Sequence, residues 1–282
     1  MVALTFRYAA LPNTFSHPAA YHRNPEEFVR IQQKIWQTWK VPVLEMDEER
    51  RRFTASWMTR NPAYRYELLT DSAARAYVRA NYAHRPDICG TYEKIADPIL
   101  AADYIRYLAI LADGGLYTDV DTDGTKEVDA WIPSEYVNRT GLVVGIEYDA
   151  QDGEIRGDFD LRVQLCQWTF MGRAGHPIMR HVVDRVTNAL QTFAGDQERI
   201  VLTSGNFENI LWLTGPRIFT EAVLEGLSDQ TGTTITGADI TKLQAPKLIG
   251  DVLFVPVNAF ASGQDHSGTP DFKFGKGRTV ND

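Results

Sequence analysis

Residues 97–123, DPILAADYIRYLAILADGGLYTDVDTD, restrict the fold of this chain more than any other stretch. Ile99, Ala102, Ile105, Leu108, Ala109 and Ala112 recur at helical spacing, and Gly114 stands where such a helix ends. LYTDV then reads as a short strand, after which the chain leaves the sheet at Asp121. A helix that runs through two glycines into a strand ending in acid belongs to an α/β architecture, in which the ligand crevice lies at the C-terminal ends of the strands. Three aspartates at alternate positions, Asp119, Asp121 and Asp123, share one face if the extended geometry continues that far. Their mutual repulsion makes them costly to gather unless a cation joins them. Hard oxygen ligands suit Mg²⁺ or Mn²⁺, which in turn bridge to phosphate oxygens.

The rest of the chain supports one α/β domain with a largely parallel or mixed sheet. QQKIWQTW reads as a first strand, residues 47–60 as a helix, and NPAYRYELL as a turn entering a second strand. Ser72–Tyr82 is amphipathic, with Asp71 as its cap, and GHPIMRHVVDRVTNAL is a further helix. GLVVGIEYD is a continuous apolar run, as in a strand buried on both faces, and GDVLFVPVNAF reads as a late strand. No repeat or low-complexity linker divides the 282 residues. The expected division is an irregular opening segment at 1–25, rich in turn residues, and one domain over 26–282.

Composition narrows the function. A hydrophobic content of 44% and a charged content of 23% are those of a globular chain that buries a core. The net charge of −8, with no compensating basic run, argues against a nucleic-acid partner. No segment has the length of apolar sequence that spans a membrane, or the order of a signal peptide. Two cysteines, Cys89 and Cys166, make no disulfide framework, and Cys166 in VQLCQWTF reads as a buried small hydrophobe. Asn138-Arg139-Thr140 has the pattern of a glycosylation site.

Two features allow rival readings. D-x-D-x-D-G also begins a calcium-binding EF-hand loop, but the twelfth position from Asp119 is Ala130, where that loop needs a glutamate. Asp103, Arg106 and Tyr107 lie on one face of the helix before the cluster. Arg106, in the otherwise apolar YIRYLAIL, either pairs with Asp103 along the helix or meets the hydroxyls and phosphate charge of a ligand.

These residues resemble glycosyltransferase family 32, and within it the fungal initiation-specific α-1,6-mannosyltransferase group. KIWQTWK is similar to the group's first strand, ADYIRYLAILADGGLYTDVDT to its donor-binding helix and D-x-D strand, and GLVVGIEYD to its central strand. VQLCQWTFMGRAGHPIM, LTGPRIFTEAV and IGDVLFVPVNAF follow in the same order, so the likeness spans roughly residues 30–262. The resemblance implies a GT-A fold: a single Rossmann-like domain with a central, mostly parallel mixed sheet flanked by helices. It implies GDP-mannose as donor, a divalent metal, usually Mn²⁺, and a mannose-containing N-glycan acceptor. Asp119 and Asp121 correspond to the D-x-D pair, the second binding metal directly and the first lying nearer the ribose and sugar. Asp103 and Arg106 match residues that contact the donor sugar, while Trp36, Gln37 and Thr38 fall where the nucleotide sits. An aromatic at Trp36 would stack on the base, or else belong to the core.

Glu147 and Asp149, at the end of a strand that should reach the same crevice, are candidates for acceptor contact. The resemblance also implies a Golgi-lumenal type II protein, whose anchor is not in this chain, and membership of a transferase complex. A UDP-sugar transferase of the same fold, or a non-catalytic calcium- or glycan-binding protein, are the alternative readings. Two departures stand out: many relatives carry His at Trp36, and relatives close with a His-containing segment and Ser-Trp where this chain ends DFKFGKGRTVND. His266, in GQDHSG, is not in a matching context.

Overall fold

The protein is described from a computed structural model, over residues 30–157, 159–202, 207–261 and 278–280. The opening segment and His266 lie outside the described residues. In chain order the elements are β1 (Lys34–Thr38), α1 (Glu48–Arg60), β2 (Arg65–Leu69), α2 (Asp71–Asn81), α3 (Pro86–Lys94), α4 (Pro98–Asp113), β3 (Gly115–Thr118) and β4 (Thr122–Gly124). They continue with β5 (Leu142–Asp149), β6 (Val163–Gly172), α5 (Pro177–Ala194), α6 (Phe207–Leu213), α7 (Pro216–Thr231), β7 (Lys247–Ile249), β8 (Val252–Val255), α8 (Val257–Phe260) and β9 (Arg278–Val280).

The main sheet has seven strands in the order β2-β1-β3-β6-β5-β8-β7. It is mixed, as expected: β1 pairs in parallel with β2 and β3, and β5 with β8, whereas β6 runs against β3 and β5, and β7 against β8. Parallel and antiparallel pairings are thus balanced. The antiparallel strand β6 had no assignment from sequence, because its uniform burial hides the period-two alternation of a strand.

Alternation along the strands sorts their side chains into two cores. Trp36, Tyr117, Val144, Leu165 and Phe170 face α2, α4, α5 and α7, whereas Ile35, Leu116, Val143, Trp168 and Leu253 pack against Trp57 of α1 and Phe260 of α8. Helix α4 starts on an Asp97 cap that accepts from the Ile99 and Leu100 amides, with Pro98 at its first position. It stops at Gly114, with φ 69°, and Gly115, with φ 104°, turns the chain straight into β3. A Cβ on Gly115 would sit 2.5 Å from the Lys34 carbonyl oxygen of the paired strand.

Three local expectations change, and one strand pairing is added. Strand β3 ends at Thr118, so the aspartates do not continue along it. Thr70, not Asp71, caps α2, its hydroxyl accepting from the Ala73 amide at 3.3 Å. Pro256 stops β8 after Val255, and the residues beyond it form α8. Finally, β4 pairs in parallel with β9 in a separate two-stranded sheet. Cys166 is buried as expected, and neither cysteine is in a disulfide. No helix among the described residues is long and apolar enough to cross a membrane.

Substituting Gly115→Ala tests the glycine hinge. The added methyl meets backbone already tied into β1, so unfolding free energy should fall by about 1–3 kcal/mol in urea melts. An unchanged midpoint would show that the turn relaxes freely.

Candidate functional site

The acidic motif forms a turn. The Asp119 amide donates to the Trp168 carbonyl at 3.0 Å, the last ladder bond of β3, and the Thr122 amide then closes back on the Asp119 carbonyl at 3.2 Å. Val120 and Asp121 are the central residues of this turn; Val120 is buried and Asp121 is exposed at the apex. Asp123 is placed in β4. The expectation that all three aspartates share a strand face is therefore corrected, because the extended geometry stops at Thr118. It also removes the EF-hand: a strand separates helix from loop, and no group of three or more His, Cys, Asp or Glu side chains is placed to hold a metal among the described residues.

Threonines hold the turn from beneath. The Thr122 hydroxyl donates to the Asp119 carbonyl at 2.6 Å and lies 2.7 Å from the Thr118 hydroxyl, which is 2.8 Å from that of Thr169. Trp57 Nε1 donates to the Thr122 carbonyl at 3.0 Å. Gln37 Nε2 reaches the Asp119 carbonyl at 3.0 Å, and its Oε1 accepts from Thr54 and Tyr66 at 2.9 and 2.8 Å.

On the α4 side, Arg106 is buried between two carboxylates. Its Nη2 lies 2.8 Å from Asp103 Oδ1 and 3.4 Å from Asp119 Oδ1, and its Nη1 donates to the Gln167 carbonyl at 3.4 Å. The guanidinium stands 5.0 Å from the Tyr117 ring centre, and the Tyr117 hydroxyl donates to Asp119 Oδ1 at 2.7 Å. Burial opposes the Arg106 charge, but Asp119, Tyr117 and Asp103 outweigh it and hold its pKa above the usual arginine value. Arg106 Nε is buried with no hydrogen-bond partner among the described residues.

Asp103 accepts from the Thr214 hydroxyl at 2.9 Å through Oδ2 and from Gln167 Nε2 at 3.4 Å through Oδ1. Burial pushes its pKa up to about 6, with Asp119 adding repulsion, while Arg106, Thr214 and Gln167 pull the other way. Of the two readings of Arg106, the structure shows the pair with Asp103 along the helix, and it adds a contact with the acidic turn.

The irregular pairing of β5 with β6 builds this site. Val144 is opposite Phe170, but Ile146 is opposite Leu165, so β6 carries extra residues between them. Such bulges re-aim side chains next to functional sites. Here Gln167 points to Asp103, and Trp168 Nε1 donates to Glu147 Oε1 at 2.9 Å. Glu147 Oε2 accepts from Gln164 Nε2 at 2.9 Å. Glu147 therefore supports Trp168, the residue whose carbonyl ends the β3 ladder, and is itself buried.

The structure places the other residues expected at the site as follows. Trp36 is core: its Nε1 donates to the Gly114 carbonyl at 2.9 Å, Tyr77 packs its edge on the ring and Lys34 Nζ stands 3.6 Å from the ring centre. Thr38 donates to the Leu69 carbonyl at 3.0 Å, and Gln37 fastens the acidic turn, so both serve the scaffold. Asp149 accepts from the Thr241 hydroxyl at 2.8 Å and the Lys242 amide at 2.6 Å, tying down a loop. Gln167, Thr214 and Tyr117 were not singled out from sequence. A glutamine within the apolar run of β6, and a threonine just before Gly215-Pro216, were the available signals.

The family described as "Glycosyltransferase sugar-binding region containing DXD motif" matches residues 47–138. The chain is 35% identical to the "Initiation-specific alpha-1,6-mannosyltransferase" of Schizosaccharomyces pombe, over 91% of this chain and 62% of the relative. To the protein of the same description from Candida albicans it is 32% identical, over 92% of this chain and 72% of the relative. It is 32% identical to the "Putative glycosyltransferase HOC1" of Saccharomyces cerevisiae, over 83% of this chain and 60% of the relative. The chain thus spans only part of the length of each of these relatives. Among solved structures, "PaToxG Glycosyltransferase" overlaps 75% of this chain at 17% identity and a TM-score of 0.47, a likeness too loose to bear on the fold.

The raised pKa of Asp103 sets a pH dependence. Its folded value, about 6, exceeds the unfolded value of about 3.9, so its contribution to stability is full below about pH 4 and lost as pH rises through about 6. The melting temperature of the native chain minus that of Asp103→Asn should therefore decrease from pH 4 to pH 7. A difference constant across that range would place the Asp103 titration elsewhere.

Proposed function

This chain belongs to the DXD-containing glycosyltransferase family that includes the initiation-specific alpha-1,6-mannosyltransferases, and on that premise we propose that it transfers mannose from GDP-mannose to a mannose-containing N-glycan in α-1,6 linkage. The compartment we propose is the Golgi lumen, with the chain over 26–282 acting as one GT-A catalytic domain. The observation that carries the reading is the Asp119–Arg106–Asp103 arrangement beneath a turn whose apex is the exposed Asp121.

The donor set fits a divalent metal shared with a substrate. Small hard cations are commonly held by one or two carboxylates plus substrate phosphates, without an all-protein cage. Two aspartates of one turn at a strand end supply that much and no more. Asp121 would hold Mn²⁺, or Mg²⁺ in its place, with Asp119 alongside, and such an ion would supply neutralisation of the diphosphate charge.

The other groups orient the donor. Asp119 is drawn toward α4 by Tyr117 and Arg106, which leaves Asp121 to project from the turn. The Asp103 oxygens are occupied by Arg106, Gln167 and Thr214, so Asp103 fixes Arg106, which in turn holds Asp119 at the turn. Transfer from an α-linked donor to an α-linked product retains configuration. The bond from the anomeric carbon to the phosphate oxygen breaks as that to the acceptor oxygen forms, and the acceptor proton passes to the departing phosphate on the same face. This path needs no base from the protein.

Calorimetric titration of GDP-mannose with Mn²⁺, against UDP-glucose with Mn²⁺, tests the donor; binding of UDP-glucose alone would overturn the choice. Asp121→Asn should weaken metal-dependent GDP-mannose binding by at least about tenfold. Asp123→Asn, altered in β4 beyond the turn, should change it little. Equal losses at both positions would sink the assignment of Asp121.

Arg106→Lys keeps the charge but loses the planar fork that spans Asp103 and Asp119. Turnover at saturating donor should fall by about 10- to 100-fold while circular dichroism stays native-like. Native turnover in this variant would reduce Arg106 to a structural partner of Asp103.

A further inference from the structure

One exposed aromatic stands on the same stretch of chain as the site. Trp212 is 46% exposed and lies two residues before Thr214, whose hydroxyl holds Asp103. The Arg217 guanidinium sits 3.3 Å from the centre of the indole. Arg217 in turn pairs with Asp160 at 2.9 Å and, through Nε, with Glu221 at 3.2 Å. A single exposed tryptophan on a protein surface needs no explanation. This one is steadied by a charged chain that crosses from α7 to the segment joining β5 and β6.

Beyond Glu221 opens a groove of about 400 Å³, lined also by Leu161, Thr220, Leu224, Ala238 and Lys242. Its wall is fixed to the sheet, because the Leu165 amide of β6 donates to the Thr220 hydroxyl at 2.9 Å. From Thr214 to Glu221 the chain rises roughly 10 Å at the helical rate. Thr220, Glu221 and Leu224 of the lining thus belong to the helix that begins two residues after Thr214.

The chemistry of this track selects its occupant. An apolar ligand would desolvate Glu221 and Lys242 without replacing their hydrogen bonds, which is costly. The lining sets Asp152 and Glu221 against Arg162 and Lys242, so it offers a polyanion no net attraction in a chain of net charge −8. A neutral polyhydroxylated chain satisfies both demands, with its C–H faces against the indole and its hydroxyls on carboxylate, guanidinium and ammonium. We propose that Trp212 and the groove beyond Glu221 form an extended subsite for an acceptor oligosaccharide, binding sugar units beyond the one that receives the transferred residue. This assignment rests on the transferase reading above.

The test compares an oligomannose acceptor with mannose itself. Trp212→Ala should raise KM for the oligosaccharide by about tenfold, equivalent to about 1.4 kcal/mol, and leave KM for mannose unchanged. Trp212→Phe should recover most of the loss, and Leu224→Arg, which fills the groove, should reproduce it. An equal rise for both acceptors, or no rise for either, overturns the subsite. A calorimetric titration of oligomannose, with GDP and Mn²⁺ present, needs no turnover and separates the two readings. If the native chain transfers nothing from GDP-mannose, the proposed activity fails. Oligomannose binding that weakens in Trp212→Ala then still supports the subsite, and binding that is absent or unaltered overturns it.

Discussion

The site depends on one buried cation. Arg106 lies between Asp103 and Asp119, with its side chain and that of Asp103 each only 5% exposed. Leaving one partner of such a group uncompensated costs about 3–5 kcal/mol, so the three must keep together through folding. Asp103 and Arg106 come from α4, and Asp119 from the turn after β3. The ion pairs therefore set the distance between helix and turn, and the two-glycine hinge at 114–115 is what lets one lead into the other without a loop. A chain that satisfies this cation has already placed its acidic turn at the end of β3.

The second constraint is the bulged strand. Strand β6 runs antiparallel between β3 and β5 and touches every part of the site: its Trp168 carbonyl ends the β3 ladder, its Gln167 meets both Arg106 and Asp103, and its Thr169 supports Thr118. Glu147, on β5, holds the Trp168 indole. The polar groups in this buried strand are thus joined into one network, which fixes a single arrangement because each unpaired member would be costly. The turn then needs little from its own sequence beyond a threonine to close it and an exposed aspartate at its apex.

This arrangement separates two kinds of acidic residue. Asp119 faces inward and is held by Arg106 and Tyr117, while Asp121 is exposed at the apex of the turn. Asp103 has no such outlet; burial raises its pKa, and its oxygens are taken up by neighbours. The same residue type thus serves as anchor, orienting group and candidate ligand according to exposure alone.

Much of this was legible in the sequence. The helix at 98–113, its glycine stop, the strand that follows and the pairing of Asp103 with Arg106 all rest on local periodicity and short spacing, which act within one or two elements. What local pattern could not decide was where side chains at strand ends turn. Trp36 and Gln37 are neighbours on β1, yet pleating sends the indole into one core and the amide to the acidic turn on the opposite face. Glu147 and Asp149 stand at the end of one strand, yet one is drawn under Trp168 by a bulge in another strand and the other ties down a loop ninety residues on. Gln167 and Thr214 reach Asp103 across sequence separations of 64 and 111 residues. Such contacts exist only once β6 and α7 have packed against α4, because a hydrogen bond between distant residues carries no trace in the spacing of either one. The chain's own pattern determined which elements form and which residues carry charge near the end of β3; tertiary packing decided which of those charges are buried and which lie exposed.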